Sequence, residues 1–135
     1  MKKTHHTEWQ RAEYTSAEWL KRHGIRCRVV SDGHRSPWDL LSDAGQHIEV
    51  KSAHRTTNGR WNFSVKRHGV VDESGVDWYV CALRGLAPKT SVYVTFKAPV
   101  NKGIISMSTR SLFTQYADNI GDWQSIARAE KRRMR

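Results

Sequence analysis

Residues 37–51 constrain the fold of this chain most, because they have the pattern of a β-hairpin. Two short apolar runs flank the sequence Asp-Ala-Gly at 43–45, in which glycine adopts positive φ cheaply and aspartate hydrogen-bonds to its own backbone. Side chains alternate between the two faces of a strand, so Glu49 and Lys51 project together and their apolar neighbours project to the other side. The pattern therefore predicts a hairpin with one charged and one apolar face.

The predicted turn folds Asp39 back beside Glu49. Two carboxylates within reach of one another form a site for a hard cation, with Mg²⁺ or Mn²⁺ preferred, and the ammonium of Lys51 can steady a developing negative charge. These three side chains suit the hydrolysis of a phosphodiester.

This arrangement resembles the PD-(D/E)XK nuclease superfamily, whose members have the restriction-endonuclease-like fold with an Asp on one strand and Glu-x-Lys on the next. Here the signature is Asp39 with Glu49-Val50-Lys51, and one residue is inserted between Pro37 and the aspartate. Family members also carry an upstream helix with a Glu, a Leu seven residues later and a Gly four residues after that. Glu13, Leu20 and Gly24 match that spacing, so the resemblance covers roughly residues 8–97.

The resemblance implies an α/β fold with a restriction-endonuclease-like core: an N-terminal helix, a mixed sheet of about five strands, and C-terminal helices. It implies a Mg²⁺-dependent endodeoxyribonuclease, structure-selective or site-specific, similar to Holliday-junction resolvases or homing endonucleases and working as a homodimer. Asp39, Glu49 and the main-chain carbonyl of Val50 would hold Mg²⁺ or Mn²⁺. Lys51 would orient or deprotonate a water or neutralise the transition state, and Glu13, at the margin of the packed helix face, would bind a second cation or hold a water.

Periodicity and turn signals predict the other elements. A helix at 8–23 precedes a strand at 25–30. Asn58-Gly59 closes a hairpin whose returning strand is 61–65. We therefore expect three consecutive antiparallel strands, a meander, to carry the site. Further along, we expect a loop at 66–76 and two more strands at 77–83 and 91–96. A short helix at 109–116 and a final helix at 122–135 follow.

The charge balance indicates a polyanionic partner. The chain has 23 Lys and Arg against 13 Asp and Glu, a formal net charge of +10, and phosphate backbones supply most non-specific affinity for such proteins. We expect duplex or branched DNA to be the partner, with 128–135 as a basic tail. The candidate DNA-binding residues lie in polar loops and at strand ends: Arg35, Arg55, Arg60, Lys66 and Arg67.

The 135 residues have the length of a single domain, and no apolar run approaches the ~20 residues that span a bilayer. We expect no membrane association, a cytoplasmic location, a phage or mobile-element origin as one option, and disorder over residues 1–6. Cys27 and Cys81 fall at apolar positions of predicted strands and are expected in the core. His47 shares the face of Glu49 and is expected at the periphery of the site.

Two alternatives remain open from the sequence. The first is a non-catalytic nucleic-acid-binding module, in which Trp61 and Phe63 form a stacking surface on an exposed sheet beside Arg60 and Arg67. The second is a relative without catalytic activity that serves as a dimer partner. Cleavage assays with and without a divalent metal distinguish both from a nuclease.

Overall fold

The computed structural model describes residues 8–30, 39–67, 70–71, 75–87, 90–98, 100 and 103–135, apart from the side chains of residues 8, 9, 66, 67, 70, 71 and 87. The chain begins with a helix, α1 (Glu8–Arg22), which ends one residue before the predicted boundary. Gly24 has φ +83°, and the amide of Ile25 donates to the carbonyl of Leu20 at 2.9 Å. A left-handed glycine closes the helix as the sequence predicted.

Five strands form the central sheet in the order β1-β2-β3-β7-β8. Their bounds are β1 (Cys27–Val29), β2 (Leu40–Ser42), β3 (His47–His54), β7 (Trp78–Ala87) and β8 (Thr90–Lys97). Strands β3 and β7 are parallel and the other neighbours are antiparallel. The predicted α/β class is confirmed, with an N-terminal helix, a mixed five-stranded sheet and C-terminal helices.

The predicted three-stranded meander is wrong. The turn at Asn58-Gly59 forms, with φ +75° at Gly59 and a 2.7 Å bond from the Thr56 amide to the Arg60 carbonyl. The returning strand, β4 (Arg60–Ser64), nevertheless pairs with β9 (Ile104–Ser108) in a separate two-stranded ribbon. Strand β7 pairs along one edge of β3 and β2 pairs only with its first residues on the other, while the ribbon packs against a face of the sheet. The sequence analysis did not predict β9.

Residues 66–76 also differ from the predicted loop. Two short strands, β5 (Lys66–Arg67) and β6 (Val70–Val71), pair antiparallel. Together with β4 they lie between β3 and β7 in the chain, so strands replace a crossover helix in the connection between these parallel strands.

The C-terminal third is largely as predicted. Ser108 caps α2 (Thr109–Leu112) through a reciprocal bond with Ser111, but this helix ends four residues before the predicted boundary, and a 3-10 helix (Ala117–Asn119) follows. Asp122 caps α3 (Trp123–Arg133) by accepting from the Ser125 amide at 3.2 Å. The basic residues that follow Ile126 on the outer side of this helix are exposed, as expected: Arg128, Lys131, Arg132, Arg133 and Arg135.

Each face of the sheet has its own core. On one face, which we call the helix face, Ile48, Val50 and Val80 pack with Leu20 of α1 and Ile126 of α3. The other, the ribbon face, carries Tyr79, Cys81 and Leu83, and the apolar sides of β4 and β9 cover it. Alternation along β3 therefore assigns Glu49 and Lys51 to the ribbon face.

Candidate active site

The predicted pairing of Asp39 with the Glu49 strand is present. Asp39 immediately precedes β2, and its amide donates to the carbonyl of Ile48 at 3.0 Å. Its carboxylate then bonds to the same strand, because the amide of Val50 donates to Asp39 Oδ2 at 2.7 Å. A side chain thus takes the place of the next backbone acceptor and fixes the Asp39 carboxylate at the peptide that joins Glu49 to Val50.

The same two bonds show which way the backbone of Val50 points. In a strand, the N–H and C=O of one residue point to the same neighbouring strand. The bonds at Ile48 and Val50 both run toward Asp39, so the carbonyl of Val50 points to the Asp39 side as well and away from β7. The Asp39 carboxylate and the Val50 carbonyl therefore lie on the same edge of β3, next to Glu49 in the chain.

Lys51 lies beside Glu49 on the ribbon face. Lys51 Nζ is 3.7 Å from Glu49 Oε1, and the two side chains are 22% and 16% exposed. Both act electrostatically on the buried Cys81, which is the register partner of Lys51 on β7. The predicted charged pair thus exists, partly covered but open to solvent on one side.

Glu13 is placed differently from its prediction. The sequence analysis assigned it to the margin of the packed face of α1, whereas it is 2% exposed and lies within the packed part of the helix. Its helix neighbour Ala12 packs with Val50 in the core of the helix face, while Glu49 and Lys51 project from the ribbon face. The structure therefore brings Asp39, Glu49, Val50 and Lys51 together and sets Glu13 in the layer beneath them.

The oxygen donors of Asp39, Glu49 and Val50 form a sparse set. Among the residues that the structure describes, no group of three or more His, Cys, Asp or Glu side chains could hold a metal ion. Two carboxylates and a carbonyl are a sparse set, which suits Mg²⁺ because this ion retains several waters and binds proteins through one or two carboxylates together with substrate phosphate. The hydrogen bond from Val50 occupies only one lone pair of Asp39, so its other oxygen still has ligand capacity.

His47 is engaged elsewhere, in agreement with a peripheral position. Its ring Nδ1 contacts the carbonyl of Gly75, and its amide donates to Asp77 Oδ2 at 2.8 Å. These contacts tie the start of β3 to the segment before β7. We therefore assign His47 to the frame of the site.

The candidate DNA-binding residues divide into three groups. Arg55 and Arg60 are exposed; the Arg55 guanidinium lies 5.4 Å from the ring centroid of Trp61, and Arg60 Nε donates to Ser106 Oγ at 2.9 Å. Lys66 and Arg67 belong to β5, and their side chains lie outside the described part of the structure. Arg35 also lies outside the described residues.

The proposed aromatic stacking surface is absent from the described part of the chain. Trp61 is 0% and Phe63 is 2% exposed, because both pack onto the ribbon face of the sheet. The alternation of β4 was predicted correctly, but its apolar side covers the sheet. Trp61 and Phe63 therefore do not form the stacking surface that the alternative, a nucleic-acid-binding module, requires.

Sequence reasoning missed a buried anchor at the turn of the hairpin. Glu130 of α3 is 4% exposed and accepts from Ser42 Oγ at 2.6 Å, Gln46 Nε2 at 2.7 Å and the Ala44 amide at 2.9 Å. A signal was available, because Glu130 follows Trp123 and Ile126 at helical spacing and so shares their packed face.

Cys27 and Cys81 are free thiols in the core layers, as expected. Burial, aided by the nearby Glu130 and Asp43 carboxylates, raises the pKa of the Cys27 thiol to about 12. Burial also raises the pKa of Cys81 well above its usual range, although the Lys51 ammonium acts in the opposite direction. Both thiols stay protonated at neutral pH and contribute no nucleophile.

Comparison with known proteins adds no family assignment: no protein-family model and no curated protein sequence matches this chain. None of the described helices is both long and apolar enough to cross a membrane.

Proposed function

We propose that this protein is a divalent-metal-dependent endonuclease of the PD-(D/E)XK type, which hydrolyses phosphodiester bonds in DNA. The observation that carries the proposal is the 2.7 Å bond from the Val50 amide to Asp39 Oδ2. This bond holds the Asp39 carboxylate against the Glu49–Val50 peptide, which supports the proposal.

The chain's own residues have distinct roles in this proposal. Asp39, Glu49 and the carbonyl of Val50 would hold Mg²⁺ or Mn²⁺; such an ion, when bound, supplies Lewis-acid polarisation of a phosphoryl oxygen and makes water more acidic. Lys51, held at 3.7 Å from Glu49, would orient the attacking water or stabilise charge that develops on the phosphate. Glu13, which is buried on α1, would contribute a carboxylate to the layer beneath the site.

DNA, duplex or branched, is the proposed substrate, because a chain with a net charge of +10 gains non-specific affinity from phosphate neutralisation. We propose a homodimer as the working assembly, since one site per chain cuts one strand and a two-fold symmetric substrate requires two sites.

Nearly isosteric variants test the catalytic assignment. Asp39→Asn and Glu49→Gln keep the shape of each side chain and remove its charge, and Lys51→Ala removes the ammonium. We expect each to slow cleavage of plasmid and synthetic four-way junctions in Mg²⁺ by at least about a thousandfold, a loss of about 4 kcal/mol of transition-state stabilisation. Binding of the same DNA, measured by fluorescence anisotropy with chelator, should be retained or tightened for the carboxylate variants because repulsion from phosphate falls.

The matched controls are Asp118→Asn, Glu18→Gln and Lys21→Ala, which make the same changes of charge at exposed positions outside the candidate site. They should cut at the rate of the parent. Cleavage by Asp39→Asn and Glu49→Gln at parental rate, or cleavage by the parent that is independent of divalent metal, would refute the proposal. Binding without cleavage across Mg²⁺, Mn²⁺ and Co²⁺ would favour a binding module.

A further inference from the structure

We propose that a cleft at the C-terminal end of α3 binds a non-scissile phosphate of the nucleic-acid backbone. The inference rests on the proposed function, in that it takes the ligand to be a phosphodiester chain. The cleft lies between α3, the start of β7 and the end of β8, and it has a volume of about 280 Å³.

Positive charge dominates the lining of this cleft. Lys97, Arg132 and Arg133 contribute three cations, and Asp77 contributes one carboxylate. Within the described part of the chain, no ion pair involves Lys97 or Arg132, whereas Arg133 pairs with Asp77 at 2.9 Å. A concave site with two cations that pair with no described carboxylate attracts an anion through the summed field of its charges.

Asp77 positions one of these cations. Its Oδ1 accepts from Arg133 Nη2 at 2.9 Å, and its Oδ2 accepts from the His47 amide at 2.8 Å. The carboxylate is thus held at both oxygens, and it orients the guanidinium. Arg133 has five N–H donors, so the pair with Asp77 leaves other donors for a phosphate oxygen.

The floor of the cleft is rigid. The indole N–H of Trp78 donates to Gln46 Oε1 at 2.6 Å, and Gln46 Nε2 donates to the Ile126 carbonyl at 3.1 Å. Both side chains are buried. Ala98 and Ala129 complete the lining, and their small side chains leave the space that a phosphate group requires. These bonds fix the floor of the cleft, and the exposed cations of Lys97 and Arg132 lie around it.

The cleft lies within reach of a nucleic-acid strand that leaves the candidate active site. His47, which bonds to Asp77, lies two residues before Glu49 on β3, about 7 Å at the usual rise of a strand. The cleft opens on the helix face and Glu49 lies on the ribbon face. A nucleic-acid strand with its scissile phosphate at Glu49 would therefore pass around the start of β3 and present a neighbouring phosphate to the cleft.

The double variant Lys97→Ala/Arg132→Ala tests this proposal. It removes the two cations that pair with no described carboxylate, and it leaves the Asp77–Arg133 pair intact. We measure binding of a fluorescent 20-base-pair duplex and a four-way junction by anisotropy in chelator, from 50 to 300 mM salt. The expected result is a loss of affinity of about tenfold at 100 mM salt and a decrease of about 1 in the slope of log affinity against log salt.

The control is Lys21→Ala/Arg110→Ala, which also removes one lysine and one arginine from exposed positions but does not alter the cleft. It should lose less than threefold in affinity and keep the parental salt slope. If the cleft variant binds like the parent, or if both double variants lose affinity equally, the cleft has no role beyond net charge and the proposal is overturned.

A polyglutamate peptide of the same charge as the duplex strand distinguishes a nucleic acid from an acidic protein partner. Tighter binding of the peptide than of the duplex, lost in the cleft variant, would overturn the proposal in favour of that partner.

The assay needs no metal and no cleavage. A parent that never cuts DNA but binds it through the cleft refutes the nuclease alone, whereas a parent without duplex binding at 50 mM salt refutes the cleft.

Discussion

At the turn end of the β2–β3 hairpin, the Glu130 carboxylate is 4% exposed and accepts three hydrogen bonds from the hairpin. At the open end, Asp39 accepts one described bond, from Val50, and Glu49 lies 3.7 Å from Lys51 with part of its surface exposed. Near its turn the hairpin thus contacts a carboxylate of α3 whose oxygens accept three bonds, and at its open end the Asp39 carboxylate accepts one described bond and keeps acceptor capacity. The first arrangement stabilises the fold, and the second leaves lone pairs for a ligand.

The contacts of the turn with α3 hold the hairpin in place. Anchoring the turn to α3 fixes the register and tilt of β3, so that the groups at the open end need not hold each other in place. Metal and substrate sites require positions held to within fractions of an ångström by surrounding residues. The anchor allows the open end to keep partly exposed charges.

The largest expected effect on stability comes from Glu130→Ala. The change leaves Ser42 Oγ, Gln46 Nε2 and the Ala44 amide without their acceptor in a buried site, and we expect a loss of about 3–4 kcal/mol in the free energy of unfolding. Glu130→Gln keeps one acceptor oxygen and should lose about half as much. Urea denaturation measures both variants, and a loss below about 1 kcal/mol for Glu130→Ala would contradict the anchoring role.

At the open end, Asp39→Ala should cost less stability than the change at Glu130. It removes one acceptor from the Val50 amide in a part-buried bond, and we expect a loss of about 1–2 kcal/mol. The same denaturation experiment measures it. The contrast between the two ends fails if Asp39→Ala destabilises the protein as much as Glu130→Ala does.

Gly45 tests the turn itself. It has φ +85°, and the nearest side-chain atom to an added Cβ, Arg133 Nη1, would be 4.0 Å away. Because space is available, the cost of Gly45→Ala comes from the left-handed backbone alone, about 1–2 kcal/mol. Gly45→Asn, which tolerates this conformation better, should recover part of the loss in thermal denaturation. Equal stability of the alanine variant and the parent would show that the turn relaxes without cost.

The pH dependence of stability should reveal the partial burial of Cys27, the register partner of Ser42 at the anchored end. Its folded-state pKa is raised to about 12 from 9.0, so above pH 9 the unfolded chain loses the thiol proton while the folded chain keeps it. Stability therefore falls between about pH 9 and 12, and it is unaffected by this group below pH 9. In Cys27→Ala this part of the decline should disappear from urea titrations at pH 8 and pH 10, whereas an unchanged decline would exclude the thiol as its source.

Lys51→Ala should have the smallest effect on stability. The pair with Glu49 is partly exposed, and such pairs contribute about 0–1 kcal/mol. We expect a change within about 0.5 kcal/mol in urea denaturation, together with the loss of cleavage described above. A loss above about 2 kcal/mol would assign Lys51 to the fold rather than to chemistry.

Local pattern alone predicted much of the architecture. Helical periodicity and caps located α1 and α3, and period-two alternation located β3 and β4, because burying one face of an element requires that pattern wherever the element lies. A richness in β-branched and aromatic residues located β7 and β8. The turn at 43–45 and the position of Asp39 beside Glu49 also followed from the sequence, since a tight turn fixes the register of the strands that it joins. The charged pair of Glu49 and Lys51 required only alternation.

Tertiary structure decided which elements meet. The pairing of β4 with β9, the burial of Glu13 and the bonds from the hairpin turn to Glu130 join residues that are far apart in the chain or depend on how a helix rotates against the sheet. Nothing local distinguishes a strand that extends a sheet from one that covers its face; here β4 pairs with the distant β9 and covers the ribbon face. Sequence thus determined the elements and one short-range site, whereas competition among elements for edges and faces determined the rest, because each edge and face can be covered only once.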